Sequence, residues 1–189
     1  MEKITGAYEE IVEGPLQPLR DLIYCGEWIE SHVLHMFLLH LPDFLGYESA
    51  ISMAADHRET VRRALQVKKT GNRIVEVLGG RSVHPVGMCV GGFHHSPRRE
   101  VLNGLLPALE ESRKEMEALS LFLAREVTFP DLERDYEFVA LCPEDEYPMN
   151  LGRVCSSKGL SVANEAFGEA IREHQVEHST ALHAQLKER

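Results

Sequence analysis

Apolar positions recur at three- and four-residue steps through most of the first two thirds of the chain. Leu19, Leu22, Ile23, Ile29, Val33, Phe37 and Leu41 form one such stripe, which predicts a helix of about six turns that Pro42 ends. On a second face of that helix Glu27, Ser31 and His35 fall at i, i+4 and i+8, with Glu30 and His32 alongside. A carboxylate above an imidazole can relay protons or order a neighbouring cofactor; a polar face meeting water or another subunit has the same pattern. Asp56 and Glu59 then have the spacing of a capping box, and Val61, Leu65, Ile74, Val75 and Leu78 continue a helix up to Gly79-Gly80. Gly71 lies inside it, where glycine costs about 1 kcal/mol relative to alanine, so it marks a place where two helices approach closely.

After Gly79-Gly80 the pattern changes. The pair can take the left-handed backbone that closes a helix, and His84, preceding Pro85, is expected to be extended. Val86, Met88 and Val90 alternate with Gly87, Cys89 and Gly91 as a short strand would. Ser96 and Pro97 suit the start of another helix, which Val101, Leu102, Leu105, Leu109, Met116 and Leu119 carry to Val127, with a kink expected at Pro107. From Phe129, Pro130, Pro143 and Pro148 punctuate short runs that read as two or three strands. Ser157-Lys158-Gly159 is the expected turn of a hairpin, and Phe167, Ala170, Ile171 and His174 form the stripe of a last short helix. The expected architecture is mainly α with small β elements, an α+β fold with a helical bundle core and a C-terminal third of short strands and a hairpin. Residues 1–189 are expected as a single domain, 1–128 mostly helical and 129–189 carrying short strands and a final helix.

Composition narrows the function. A formal charge of −10 leaves no concentration of Lys and Arg for phosphate, so no nucleic-acid partner is expected. The most apolar stretch, Leu22 to Leu41, carries Glu27, Glu30, His32, His35 and His40, which hydrocarbon does not tolerate, so no membrane insertion is expected. With no apolar run after Met1 the reading is cytoplasmic. Cys25, Cys89, Cys142 and Cys155 are scattered without a C-x-x-C pair, which points to free thiols. His174-Gln175-Val176-Glu177-His178 has the H-x-x-E-H spacing of some zinc enzymes, but the usual position of a third ligand is well downstream, where few residues remain.

Three stretches, taken in order, carry a family resemblance. They are Arg20-Asp21-Leu22 with Gly26-Glu27-Trp28-Ile29-Glu30-Ser31-His32-Val33-Leu34-His35 and Pro42-Asp43-Phe44-Leu45-Gly46; Lys68-Lys69-Thr70-Gly71-Asn72 running into Gly79-Gly80-Arg81-Ser82-Val83-His84-Pro85 and Gly91-Gly92-Phe93; and Glu146-Tyr147-Pro148-Met149-Asn150-Leu151-Gly152-Arg153 with Ser156-Ser157-Lys158-Gly159 and His178-Ser179-Thr180-Ala181-Leu182-His183. Together they resemble the large (alpha) subunit of nickel-iron hydrogenases, most closely the soluble sulfhydrogenase-like and cofactor-reducing group, over its central portion. The resemblance implies reversible oxidation of H2 at a nickel-iron centre, with electrons passed to an iron-sulfur small subunit, then to further electron-transfer subunits. It makes Glu27, His32, His35, Arg81 and His84 candidates for supporting the metal ligands or for a subunit interface. The family's R-x-C-G-x-C and D-P-C-x-x-C segments, whose four thiolates hold the metals, are absent from the chain. The chain is therefore expected to bind no metal, to contain no catalytic residue of its own and to be inactive alone. The alternative is a cysteine-free hydrogenase-like scaffold or electron-transfer docking subunit. Helix faces left uncovered in a fragment would also allow a homodimer.

Overall fold

Gly26 and Gly71 set the packing of the helical part. In the computed structural model, which describes residues 16–89, 92–143, 147–149 and 152–187, a Cβ on Gly71 would lie 2.7 Å from both Glu30 N and Gly26 O. One on Gly26 would lie 2.8 Å from the Ile74 side chain. Both helices therefore need glycine at the contact, as the interior Gly71 predicts. They are α1 (Gln17–Val33) and α4 (Arg58–Gly79). Lys68 Nζ ties them together, 3.3 Å from the Glu30 carboxylate and 3.1 Å from Asn72 Oδ1.

The first helical stripe differs from expectation in one respect. Pro42 does not end it: α1 passes into a π-helical segment, Leu34–His40, and then into α2 (Leu41–Leu45). The Leu41 N–H reaches back five residues to Met36 O, so Pro42 falls in the first turn of α2, where a missing N–H costs no intrahelical bond. Gly46, left-handed at φ 79°, makes the stop. The helix α3 (Ala50–Met53) starts with a reciprocal pair, Ser49 Oγ accepting from Ser52 N–H while Ser52 Oγ accepts from Ser49 N–H. Asp56 and Glu59 do not form the expected box: Asp56 accepts from Tyr47 Oη at 2.9 Å, and Glu59 binds Arg62 and Arg63. The Gly79-Gly80 stop of α4 is as expected, with Gly80 left-handed at φ 77°.

The third long helix is broken rather than kinked. The short α5 (Arg99–Asn103) ends at Gly104, and α6 (Leu106–Glu126) begins with Pro107 in its first turn. A proline there is preorganised for helix, whereas inside a continuous helix it would cost about 3 kcal/mol. The expected start at Ser96-Pro97 moves to Arg99, with Arg98 extended at the cap position. α6 packs on α4 through a buried Ser112 Oγ, which donates to Thr70 Oγ1 at 2.8 Å. One core cluster gathers Val33, Phe37, Leu41, Met53, Val67 and Leu119; a second gathers Ile23, Ile74, Val75, Leu78 and Leu105.

The chain divides into two compact units, residues 1–130 and 131–189. In the second, β3 (Val139–Cys142), β4 (Arg153–Ser156) and β5 (Ser161–Val162) form an antiparallel sheet in that order. The turn expected at Ser157-Lys158-Gly159 connects β4 to β5, with Gly159 at φ 92°. The expected last helix is confined to α7 (Phe167–Ala170). Ile171 and His174 belong instead to β6 (Ile171–Val176), paired antiparallel with β7 (Ser179–Leu186). A stripe at 167, 170, 171 and 174 fits a helix, but pairing with the segment beyond it decides for strand. The architecture is α+β, mainly helical with small antiparallel sheets.

Candidate functional site

The segment after α4 folds back onto the end of its own helix. Gly79 O accepts from both Val86 N at 2.9 Å and Gly87 N at 2.8 Å. A Cβ on Gly79 would sit 2.3 Å from Pro85 Cβ, and one on Gly87 would sit 2.8 Å from Leu78 O. Only glycine fits at either place. The segment closes with β1 (Met88–Cys89) against β2 (Gly92–Phe93), in the register Met88↔Phe93 and Cys89↔Gly92. Val90, the third residue of the expected strand, lies outside the described residues.

His84 sits at the tip with φ 51°, the only non-glycine residue in left-handed backbone among those described. The extended geometry expected before Pro85 is thus corrected. The physical reason is Arg81, whose Nε and Nη2 both donate to His84 O, at 3.2 and 2.8 Å. Two charge-assisted hydrogen bonds on one carbonyl offset a backbone that costs about 1–3 kcal/mol. Arg81 therefore serves to hold the turn, and the His84 ring is left exposed. Val83, Val86 and Met88 are exposed on the same segment, so a cation and an imidazole stand among uncovered apolar side chains.

The other predicted residues sit on α1 and its continuation. Glu27, His32 and His35 are exposed, whereas Glu30 turns inward to Lys68. His35 lies just inside the π-helical segment, whereas Glu27 and Ser31 lie on α1. The π segment changes the period, and the His35 ring lies 4.1 Å, centroid to centroid, from that of His40, five residues on. In an α-helix residues five apart diverge by more than a third of a turn; the wider turn of a π-helix brings them closer. His40 is not among the predicted site residues. No motif announces a π-turn, and the only hint is an intact apolar stripe running into Pro42. Arg81 and His84 lie on the segment after α4, whereas Glu27, His32 and His35 lie on α1 and its π-helical continuation.

The four cysteines lie on four different elements. Cys25 is half-buried on α1, Cys89 is exposed on β1, and Cys142 and Cys155 lie on β3 and β4. Burial and then the nearby Asp21 charge push the Cys25 thiol up; contact with Cys155 and then burial push up Cys142. Both shifts favour the protonated thiol. Among the described residues no three His, Cys, Asp or Glu side chains converge as a ready ligand set. Nor is any described helix long and apolar enough to cross a membrane.

Comparison with known proteins gives the site its context. The sulfhydrogenase 1 alpha subunit of Pyrococcus furiosus is 32% identical over 175 residues, which is 92% of this chain and 41% of that protein. The sulfhydrogenase 2 alpha subunit of the same organism is 47% identical over 87 residues, 46% of this chain and 21% of that protein. A component of the vhu F420-non-reducing hydrogenase of Methanocaldococcus jannaschii is 29% identical over 99 residues, 49% of this chain and 24% of that protein. A crystal structure of an NAD+-reducing [NiFe]-hydrogenase in the H2-reduced state superposes on 96% of this chain and 46% of its own, with a TM-score of 0.80 at 22% identity. No family model matches. The homologues of this chain are thus hydrogenase large subunits, and the fold is that of the solved hydrogenase. The chain spans less than half the length of the curated relatives it matches.

Proposed function

We propose that this homologue of hydrogenase alpha subunits forms the middle portion of a nickel-iron hydrogenase large subunit, working in the reversible oxidation of H2 only with thiolates supplied from outside it. The observation that carries this reading is the 32% identity to an alpha subunit over 92% of the chain. The R-x-C-G-x-C and D-P-C-x-x-C segments that the chain lacks support the second half of it. A bound nickel-iron centre would supply the redox chemistry on H2. What this chain contributes is the helical frame: α1 and α4, locked at Gly26 and Gly71, and the turn in which Arg81 holds His84. Glu27, His32, His35, Arg81 and His84 are proposed as an interface set, facing an iron-sulfur small subunit or the rest of the large subunit. The exposed Val83, Val86 and Met88 around His84 favour that role over a catalytic one. These uncovered side chains also allow a second copy to dock, which gel filtration of the chain reads directly.

A second reading keeps the same frame as a metal-free docking subunit in an electron-transfer assembly, and the lack of the four-cysteine segments in the chain favours it. One experiment separates the two. The chain is expressed in a host able to mature hydrogenases, with and without a companion chain carrying R-x-C-G-x-C and D-P-C-x-x-C segments. Nickel is then measured together with H2-dependent dye reduction. The chain alone is expected to carry no nickel and to reduce no dye, and the assembled pair to do both. An assembled pair without nickel or activity selects the metal-free docking role. One nickel per isolated chain, with turnover, overturns both readings.

A further inference from the structure

We infer that Cys142 and Cys155 form a reversible redox pair, two thiols that a low-molecular-weight disulfide oxidises to a bridge between the edge strand β3 and its neighbour β4. The strand register brings them together, whatever the function of the larger protein. Cys142 faces Arg153 and Ala140 faces Cys155 across the antiparallel pair. Side chains two apart on a strand share a face, so all four stand on one side of the sheet, with the cysteines as diagonal neighbours. Ser161 joins that face as the β5 partner of Cys155.

Side-chain contacts leave that diagonal open. The Cys142 thiol leans back along its own strand to within 4.0 Å of Ala140 O, toward the residue that faces Cys155. Arg153, the direct partner of Cys142, is drawn the other way, toward β5: its Nε donates to Ser161 Oγ and its Nη2 to Ser161 O, both at 2.9 Å. Cys155 Sγ has only a weak contact with Ser161 Oγ, at 3.9 Å, so it is free to turn. The two thiols are within reach of each other as they stand. Diagonal Cα atoms lie about 7–8 Å apart in a regular sheet and a disulfide spans about 4.4–6.8 Å, so closure draws the end of β3 inward by about 1 Å. Cys142 is the last residue of β3, and β3 is an edge strand paired only with β4, so this movement disturbs no second ladder. A bridge made at the limit of its reach is readily reduced again, which makes the pair reversible.

Cys142 is exposed and Cys155 half-buried, so a reagent RSSR meets Cys142 first. The Cys142 thiolate attacks one sulfur of RSSR, the reagent's S–S bond breaks, and the departing thiolate takes up the proton that Cys142 gave up. Cys155 then attacks the Cys142 sulfur, the protein bridge forms, and the second thiolate leaves with the second proton. Two protein thiols thus lose two electrons and two protons, and RSSR becomes two RSH.

The test is to incubate the reduced full chain with oxidised glutathione, cap the remaining thiols with iodoacetamide and read a tryptic digest by mass spectrometry. Trypsin cuts after Arg134, Arg153 and Lys158, which puts Cys142 and Cys155 on separate peptides, 135–153 and 154–158. These two peptides are expected joined, in monomeric chain, at least about tenfold more abundant than any link to Cys25 or Cys89, and separated again by dithiothreitol. Moving the thiol by one residue, with Cys142→Ala and Leu141→Cys together, turns it to the other face of the sheet and should lower the link to Cys155 at least about tenfold. Should that variant lose its β signal by circular dichroism, the wild-type peptide map decides. Glutathione left on both Cys142 and Cys155, a bridge to Cys25 or Cys89 in its place, chains joined to one another through these residues, or equal linking from position 141 in a folded variant would each refute the pair.

Discussion

The two units are built on opposite terms. In residues 16–130 the side chains meet in two packed clusters, with Phe37, Met53, Ala64 and Ile74 wholly buried. In residues 131–187 only Val154 and Ile171 are buried among those described, while Phe138 is 70% exposed and Tyr147 67%. Burying a large side chain stabilises by about 1.5–3 kcal/mol, and two- or three-stranded sheets are marginal without a covered face. The helical unit therefore has the means to hold its fold. In the β unit such cover is confined, among the described residues, to Val154 and Ile171.

The sharpest way to break this comparison is a matched pair of substitutions. Phe37→Ala is expected to destabilise the helical unit by about 3–5 kcal/mol, whereas Phe138→Ala should change stability by less than about 0.5 kcal/mol. Urea unfolding followed by circular dichroism reads both, and equal losses would mean that the β unit has a core after all. Next in size is Gly71→Val, which places carbon against Glu30 N and Gly26 O, where a Cβ has only 2.7 Å. A loss of about 3 kcal/mol is expected. Gly168→Val in the β unit, with nothing within 4 Å of its Cβ, should be close to neutral.

The smallest effect is electrostatic and confined to α4. Hydrogen bonds from Arg62 and then Arg63 hold the Glu59 carboxyl down to about 2. A depressed acid adds stability above its unfolded value of about 4.3 and loses it as pH falls through the folded one. The wild type should thus exceed Glu59→Gln slightly at pH 7, and the gap should close between about pH 4.3 and 2. Glu59 is fully exposed, so the gap is small and should shrink in high salt. A gap that persisted at pH 2 would mean that the ion pairs are not its source.

Residues whose role is local are legible in advance. Gly80 has only to end a helix, Gly159 to turn a hairpin, and Gly71 to stand for a close contact whose partner is unknown. The misses share a different cause. His84 takes left-handed backbone because Arg81 grips its carbonyl, and His40 meets His35 because one helical segment widens; neither leaves a mark in periodicity. The last hairpin is hidden because a stripe at 167, 170, 171 and 174 satisfies a helix as well as a strand with a partner. For the same reason helical spacing misplaces the H-x-x-E-H segment, which lies on β6 and the turn after it.

Alone, the sequence determined the class of fold, the stop of one helix at Gly79-Gly80, the closeness of one helix pair and the likeness to hydrogenase large subunits. These depend on period, on glycine and on ordered motifs, all of which are properties of neighbours along the chain. Tertiary structure decided which histidines meet, which carboxylate turns inward to Lys68, and which of the two units has a core. Those outcomes depend on contacts between residues far apart in sequence, and their free energies exist only once the backbone has brought the partners together.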